Sequence, residues 1–188
     1  MGTLSLEDEK ARLRKELRKK SELLSSEERN RRSQALIGRL LKHPRFLKAR
    51  TLLTYVALES EVETRPFVEE ALKQGKRVFV PLVERGGDRI QMMEISGTGE
   101  LKSGTYGVWE PPFELHRIGD PLELDLVIVP GVSFDREGGR LGRGKGSFDR
   151  FLQEAHNAYR IGLAFEYQIV DRVPRAERDR VMNEVLIG

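Results

Sequence analysis

The chain is 188 residues long, contains no cysteine and only three histidines, and carries a net charge of +3. That length fits one domain. The missing thiols exclude disulfides, thiol catalysis and cysteine metal sites, the histidines lack the paired spacing of a zinc site, and no apolar run approaches the roughly 18–20 residues of a membrane span. Charged N-terminal residues stand where a signal peptide needs an apolar stretch, so a cytoplasmic home is expected. The charge is uneven: residues 1–50 hold fifteen Lys/Arg against seven Asp/Glu. This asymmetry predicts an anionic partner near the N-terminus, either nucleic acid or a small polyanion such as a nucleotide. A solvated helix face is the alternative for most of these cations taken singly.

Residues 7–23 read as a helix with a narrow apolar stripe of Leu6, Leu13, Leu17 and Leu24. Lys10 and Arg14 are one turn apart on it, a like-charge pair that a bound anion would relieve. Ser25-Ser-Glu-Glu28 reads as a capping box opening a second helix, which buries Leu36, Ile37, Leu40 and Leu41 and stops near His43-Pro44. Strands and helices then alternate: strand 51–56, helix 63–74 with Gly75 as its stop, strands 77–82 and 89–95, a long Gly/Pro-rich loop over 96–123, and an apolar strand 126–130. Helical character over 145–158, a strand over 160–165 and a short last strand over 185–187 follow. The alternation predicts an α/β fold: a single domain with a mostly parallel sheet, helices on both faces, and extra N-terminal helices.

The segment from Pro130 to Arg150 carries the most chemistry. A buried strand ends, glycines 138, 139, 142, 144 and 146 follow, and a helix begins. Glycines let backbone N–H groups approach a phosphate, a helix N-terminus favours anions, and Arg140, Arg143 and Lys145 add charge. Gly139 to Lys145 nearly matches the GxxxxGK phosphate loop, but Gly146 stands where Ser or Thr would hold magnesium, so an ordinary P-loop is a poor fit. Asp149 is the nearest carboxylate that could hold the metal instead, with helix-dipole compensation as its alternative role.

The run Gly142-Arg-Gly-Lys-Gly-Ser-Phe-Asp-Arg150, after Pro130-Gly-Val-Ser-Phe-Asp135, resembles the signature of the 5-formyltetrahydrofolate cyclo-ligase family. Lys10-Ala-Arg-Leu-Arg14, Glu61-Val-Glu-Thr64, Gly162-Leu-Ala-Phe-Glu-Tyr-Gln168 and Asn183-Glu-Val185 resemble its other motifs in order. Such a family implies ATP-dependent conversion of 5-formyltetrahydrofolate to 5,10-methenyltetrahydrofolate with Mg2+, through phosphorylation of the formyl oxygen. By position, Lys10 and Arg14 would contact ATP phosphates. Arg140, Leu141, Gly142, Arg143, Gly144, Lys145, Gly146, Ser147 and Phe148 would form the ATP loop, with Lys145 and Arg143 as its catalytic cations. Val56, Glu61 and Trp109 would bind the folate, and Asp149 and Asn183 would hold the metal. Glu61 as a helix N-terminal acid and Trp109 as a packed aromatic are the alternatives.

Three positions depart from the family. Ser147 and Phe148 replace its usual tyrosines, and Asn183 replaces an aspartate, bringing an oxygen without charge. The implied partner is the folate, with or without a polyglutamate tail, bound by a monomer that touches neither nucleic acid nor membrane. A nucleic-acid module built on the basic helices and a small-molecule kinase are the competing classes. The first leaves the Gly142–Asp149 loop unexplained, and the second lacks the phosphate-loop Ser/Thr.

Overall fold

The computed structural model describes residues 5–83, 89–104 and 109–188. The chain opens with three helices: α1 (Leu6–Glu22), α2 (Ser26–Leu40) and α3 (Pro44–Lys48). Ser5 caps α1 by accepting the Asp8 N–H; acids in the first turn and Lys19 and Lys20 in the last complement the helix dipole. Ser25 caps α2 by accepting the Glu28 N–H. Only that half of the expected capping box is seen, because the Glu28 carboxylate turns outward to Arg31 and Arg32. Those two partners hold its carboxyl down at about 2. α2 ends at Leu40, shortly before His43-Pro44 as expected, and His43-Pro44 also opens α3, with proline in its first turn.

The remaining elements are β1 (Thr51–Thr54), α4 (Arg65–Lys73), β2 (Arg77–Val83), β3 (Ile90–Ile95), β4 (Lys102–Ser103), β5 (Trp109–Glu110), β6 (Leu126–Val129), β7 (Ser133–Phe134), β8 (Arg140–Leu141), α5 (Ser147–Glu154), β9 (Tyr159–Ala164) and β10 (Glu184–Ile187). Six strands form one sheet in the order β10-β9-β6-β1-β2-β3. Every pair is parallel except β2 with β3, which is antiparallel at the edge. The α/β expectation is borne out. Of the long loop over 96–123, β4 and β5 form a small ribbon; residues 105–108 lie outside the described residues.

β1 and β6 are apolar or buried throughout and covered on both faces, as central parallel strands must be. One core, with Leu36, Phe46, Phe67 and Ile128, lies under α2, α3 and α4. The other, with Phe79, Val127, Phe134 and Phe151, lies under α5. Of the stripe expected on α1, only Leu17 is buried, and Leu41 of α2 is half-buried. α1 packs against the turn that follows β9.

The topology decides where a ligand can sit. From β1 the chain moves to β2 on one side, then returns to place β6 on the other. Strand order therefore reverses between β1 and β6, and the loops leaving their carboxyl ends diverge to leave a crevice.

Candidate active site

The β1 exit supplies one wall. Beyond Thr54 the chain runs through Tyr55 and Val56 to a turn at Leu58–Glu61, where the Glu61 N–H bonds Leu58 O at 2.9 Å. Glu61 closes the same turn with its side chain, Oε2 accepting the Leu58 N–H at 2.9 Å. The Tyr55 hydroxyl donates to Val62 O, and Thr64 Oγ1 donates to Tyr55 O, so the loop is braced from beneath. Burial, and then the charges of Glu61 and Glu63, hold the Tyr55 hydroxyl protonated well above its ordinary range.

Glu61, Ala57, Arg29, Asn30, Arg65 and Trp109 are among the residues lining a cavity of about 280 Å3 beside this loop. The Arg65 guanidinium lies 4.6 Å from the Trp109 ring centroid. Two arginines and Glu59, Glu61 and Glu63 face the space, with a flat indole at its rim. Carboxylates only accept hydrogen bonds, so this wall suits a planar, donor-rich ligand.

The β6 exit supplies the other wall. Pro130 leads into the β7–β8 hairpin, and Arg140 in β8 turns back under the loop. Its side chain is 3% exposed; Nη1 donates to Pro130 O at 3.0 Å and Nη2 to Asp149 Oδ2 at 2.8 Å. Arg140 Nε is buried with no partner among the described residues. The loop 142–146 follows, with Gly144 at φ +111°, a conformation that favours glycine. α5 then starts at Ser147, and its dipole points its positive end at the loop.

α1 closes the third side. Arg14 Nε donates to Gly142 O at 2.9 Å. A side chain at Gly144 would begin 3.5 Å from the Arg14 guanidinium carbon. Lys10, one turn earlier, is 7% exposed and binds Asp179 Oδ2 at 2.7 Å. Burial pushes the Asp179 carboxyl up, but the Lys10 hydrogen bond and the Ala176 N–H outweigh it and hold it below its ordinary value. The like-charge cost expected between Lys10 and Arg14 is thus offset by a carboxylate that the sequence alone did not single out. The one signal for Asp179 in the sequence was an acid standing between Arg178 and Arg180.

The residues singled out by sequence fall into three groups. Arg14 bonds the loop formed by Gly142 to Ser147, Lys10 lies one turn earlier on the same helix at Asp179, and Arg140 reaches Asp149 with its guanidinium 5.9 Å from the Phe148 ring centroid. Glu61 and Trp109 share the cavity, while Val56 is buried in the core behind it. Leu141 is buried in the hairpin. Glu61 and the loop meet: Arg143 Nη2 lies 2.9 Å from Glu61 Oε1.

Asp149 and Asn183 are placed differently from each other. Asp149 Oδ1 accepts the Arg180 N–H at 3.2 Å and Oδ2 accepts Arg140, which leaves a lone pair on each oxygen. Asn183 stands before β10, and its Oδ1 accepts both the N–H and Nε of Arg160, at 2.9 and 3.2 Å. Both lone pairs of that oxygen are engaged. Asp149 therefore fits as a metal ligand, whereas Asn183 as it stands does not.

A mostly parallel sheet with a reversal in strand order, a glycine loop flanked by cations at that reversal and a cavity alongside define an α/β fold with a ligand-sized crevice at the carboxyl ends of its strands. The sequence profile of the 5-formyltetrahydrofolate cyclo-ligase family matches residues 6–188, and the chain belongs to that ligase family. It is 30% identical to the mouse 5-formyltetrahydrofolate cyclo-ligase over 99% of this chain and 97% of that protein. It is 27% identical to the Escherichia coli K12 enzyme of the same name over 87% and 91% of the two chains. The solved structure of Aquifex aeolicus 5,10-methenyltetrahydrofolate synthetase superposes with a TM-score of 0.83 at 34% identity, covering 95% of this chain and 89% of that one.

Proposed function

We propose that this enzyme couples ATP to the cyclisation of 5-formyltetrahydrofolate to 5,10-methenyltetrahydrofolate, releasing ADP and phosphate. The observation that carries the reading is the Arg143–Glu61 contact, which puts the cationic loop and the cavity on one border. A reaction between a phosphate donor and a planar folate needs both ligands to meet there.

In this reading the pterin and aminobenzoate moieties occupy the cavity, with Glu61 accepting from ring N–H groups and Trp109 stacking. The triphosphate lies along residues 142–146, facing Lys10, Arg14, Arg143 and Lys145. The formyl oxygen attacks the γ-phosphorus and the bond to the ADP oxygen breaks. N10 then attacks the activated carbon, the C–O bond breaks with departure of phosphate, and N10 loses its proton. Positioning and charge neutralisation carry such a transfer, and no protein nucleophile is needed. Asp149 would hold Mg2+ together with phosphate oxygens, and the ion would supply further charge neutralisation. The inward turn of Lys10 and Arg14 supports a nucleotide rather than a nucleic acid as the anionic partner. The cysteine-free composition supports the cytoplasm as its location. Among the described residues no helix is long and apolar enough to cross a membrane.

The test mixes the protein with 5-formyltetrahydrofolate, ATP and Mg2+ and follows the absorbance of the methenyl product, with ADP measured in parallel. One ADP per product is expected, and no product without ATP. Product formation independent of ATP, or ATP cleavage unaffected by the folate, would overturn the reading.

A further inference from the structure

We infer that Asp179 is a positioning residue: it grips the buried ammonium of Lys10 and so holds that cation on the face of α1 that meets the glycine loop, in the geometry that receives an anionic triphosphate. The inference rests on the reading of ATP as co-substrate.

Lys10 is an unusual lysine. Its side chain is 8% exposed, although it lies on a helix whose other lysines are exposed. A buried ammonium is costly unless paired, and a four-carbon stem gives it an easy way out to water. Asp179 Oδ2 lies 2.7 Å away and is itself only 18% exposed. Among the described residues the other carboxylate near the ammonium is Glu7, at 3.9 Å on a side chain that is 77% exposed. Asp179 is the partner that keeps Lys10 inside.

Asp179 is in turn fixed. The same Oδ2 accepts the Ala176 N–H at 2.8 Å, and the Asp179 N–H donates to Ala176 O at 3.1 Å. The next residue, Arg180, donates its N–H to Asp149, whose second oxygen holds Arg140 and thereby the β6 exit. One run of contacts thus ties α1, the 176–180 turn, the first turn of α5 and the β6 exit together. Arg14, on the same face of α1, binds the loop directly at Gly142 O. Lysine has three N–H donors and Asp179 takes one, so the ammonium can bind an anion without letting Asp179 go.

A carboxylate so close to a phosphate-binding cation could instead act as plain repulsion. The two roles differ in sign. Repulsion predicts that removing the Asp179 charge tightens ATP, while positioning predicts that it weakens ATP, because Lys10 leaves the site. The burial of Lys10 decides for positioning.

Steady-state kinetics of the full chain, with ATP varied at saturating 5-formyltetrahydrofolate, test this in Asp179→Asn, Asp179→Glu, Lys10→Ala and the double variant Lys10→Ala/Asp179→Asn. Loss of a charge-assisted hydrogen bond corresponds to about tenfold or more in affinity. Asp179→Asn should raise KM for ATP by about that factor and leave kcat and the folate KM within about threefold. In the Lys10→Ala background it should add less than about twofold, because the residue acts through Lys10. An unchanged or lowered KM for ATP, or a full effect persisting without Lys10, overturns the inference. Should Asp179→Asn fail to fold, Asp179→Glu gives the same cycle. A rise of about threefold in KM for ATP with Lys10 present and none without it is expected, and any other pattern overturns it. A wild-type enzyme that needs no ATP would sink the co-substrate reading itself, which shows before any variant is made.

Discussion

Arg143 and Glu61 are 82 residues apart in sequence and meet at 2.9 Å, an exposed cation over a nearly covered acid. Under the proposed function each belongs to a different ligand, the arginine to phosphate and the glutamate to pterin donors. Whichever ligand arrives first separates the pair, and the second finds its partner already released. Binding should therefore be positively and reciprocally coupled. Because Arg143 is 56% exposed, water screens the pair, and the coupling should be modest, about two- to fivefold. Titrating a non-hydrolysable ATP analogue with and without 5-formyltetrahydrofolate measures it. The factor should fall to about one in Arg143→Ala; independent binding in the wild type would refute the coupling.

Glu61→Gln keeps the shape of the side chain but replaces two acceptor oxygens with one. We expect the folate KM to rise about tenfold and the ATP KM less than threefold, the larger effect being that of a charged acceptor lost from a mostly buried site. Equal losses for the two substrates would mean that Glu61 serves only to close the Leu58 turn.

Lys145→Ala should lower kcat by about 10²–10³ with little change in melting temperature, since the residue is exposed and lies in the loop beside the start of α5. Turnover near the wild-type rate would remove the loop from the phosphate site.

The loop itself was legible because its signals are local: a strand apolar at every position, then glycines alternating with cations. What was not legible depends on distant partners. Phe134 is sandwiched between Gly131 and Gly162, where any side chain would begin 2.5 Å from its ring, and nothing near Phe134 in sequence announces Gly162. The β7–β8 hairpin was hidden for a different reason, its strands being only two residues each. Asn183 reads as a ligand by position, but its oxygen is claimed by Arg160, a partner on the neighbouring strand. Alternation of strand and helix predicted the fold class, yet it could not show that β3 runs against its neighbour.

Two glycines near the loop should separate stability from function. Gly138, at φ +84°, lies so close to Met182 O that any side chain would strike that carbonyl, so Gly138→Ala combines strain with a backbone clash. We expect a loss of about 3 kcal/mol or more, roughly 6–12 °C in melting temperature for a chain of this size. Gly144, at φ +111°, has the far end of Arg14 as its nearest neighbour, at 3.5 Å. Gly144→Ala should cost about 1–2 kcal/mol in stability yet raise the KM for ATP more than Gly138→Ala does in protein that remains folded. A reversed order in calorimetry and kinetics would place the loop in the packing rather than in the site.

The last prediction concerns Lys10 and Arg14 together. Their spacing alone suggests that replacing both with alanine relieves repulsion and leaves the unliganded protein as stable or more so. The structure reverses that sign. Lys10→Ala strands the largely buried Asp179, and Arg14→Ala removes a donor to Gly142 O. Breaking a buried pair costs about 3–5 kcal/mol; with Asp179 18% exposed we expect about 2–4, or roughly 5–15 °C. The effect should depend on pH. Although burial pushes the Asp179 carboxyl up, Lys10 and the Ala176 N–H hold it below its ordinary value. A depressed folded pKa gives stability that is complete above the unfolded pKa, near pH 4, and lost as pH falls through the lower folded value. The melting gap between wild type and double variant should be full at pH 6–7 and close below pH 4. At neutral pH the rise in melting temperature given by ATP should shrink in the variant, since its affinity falls. Thermal melts from pH 3 to 7, with and without ATP, check both. A variant at least as stable as the wild type at pH 7, or one with an undiminished ATP shift, would show that α1 neither depends on Asp179 nor serves the triphosphate.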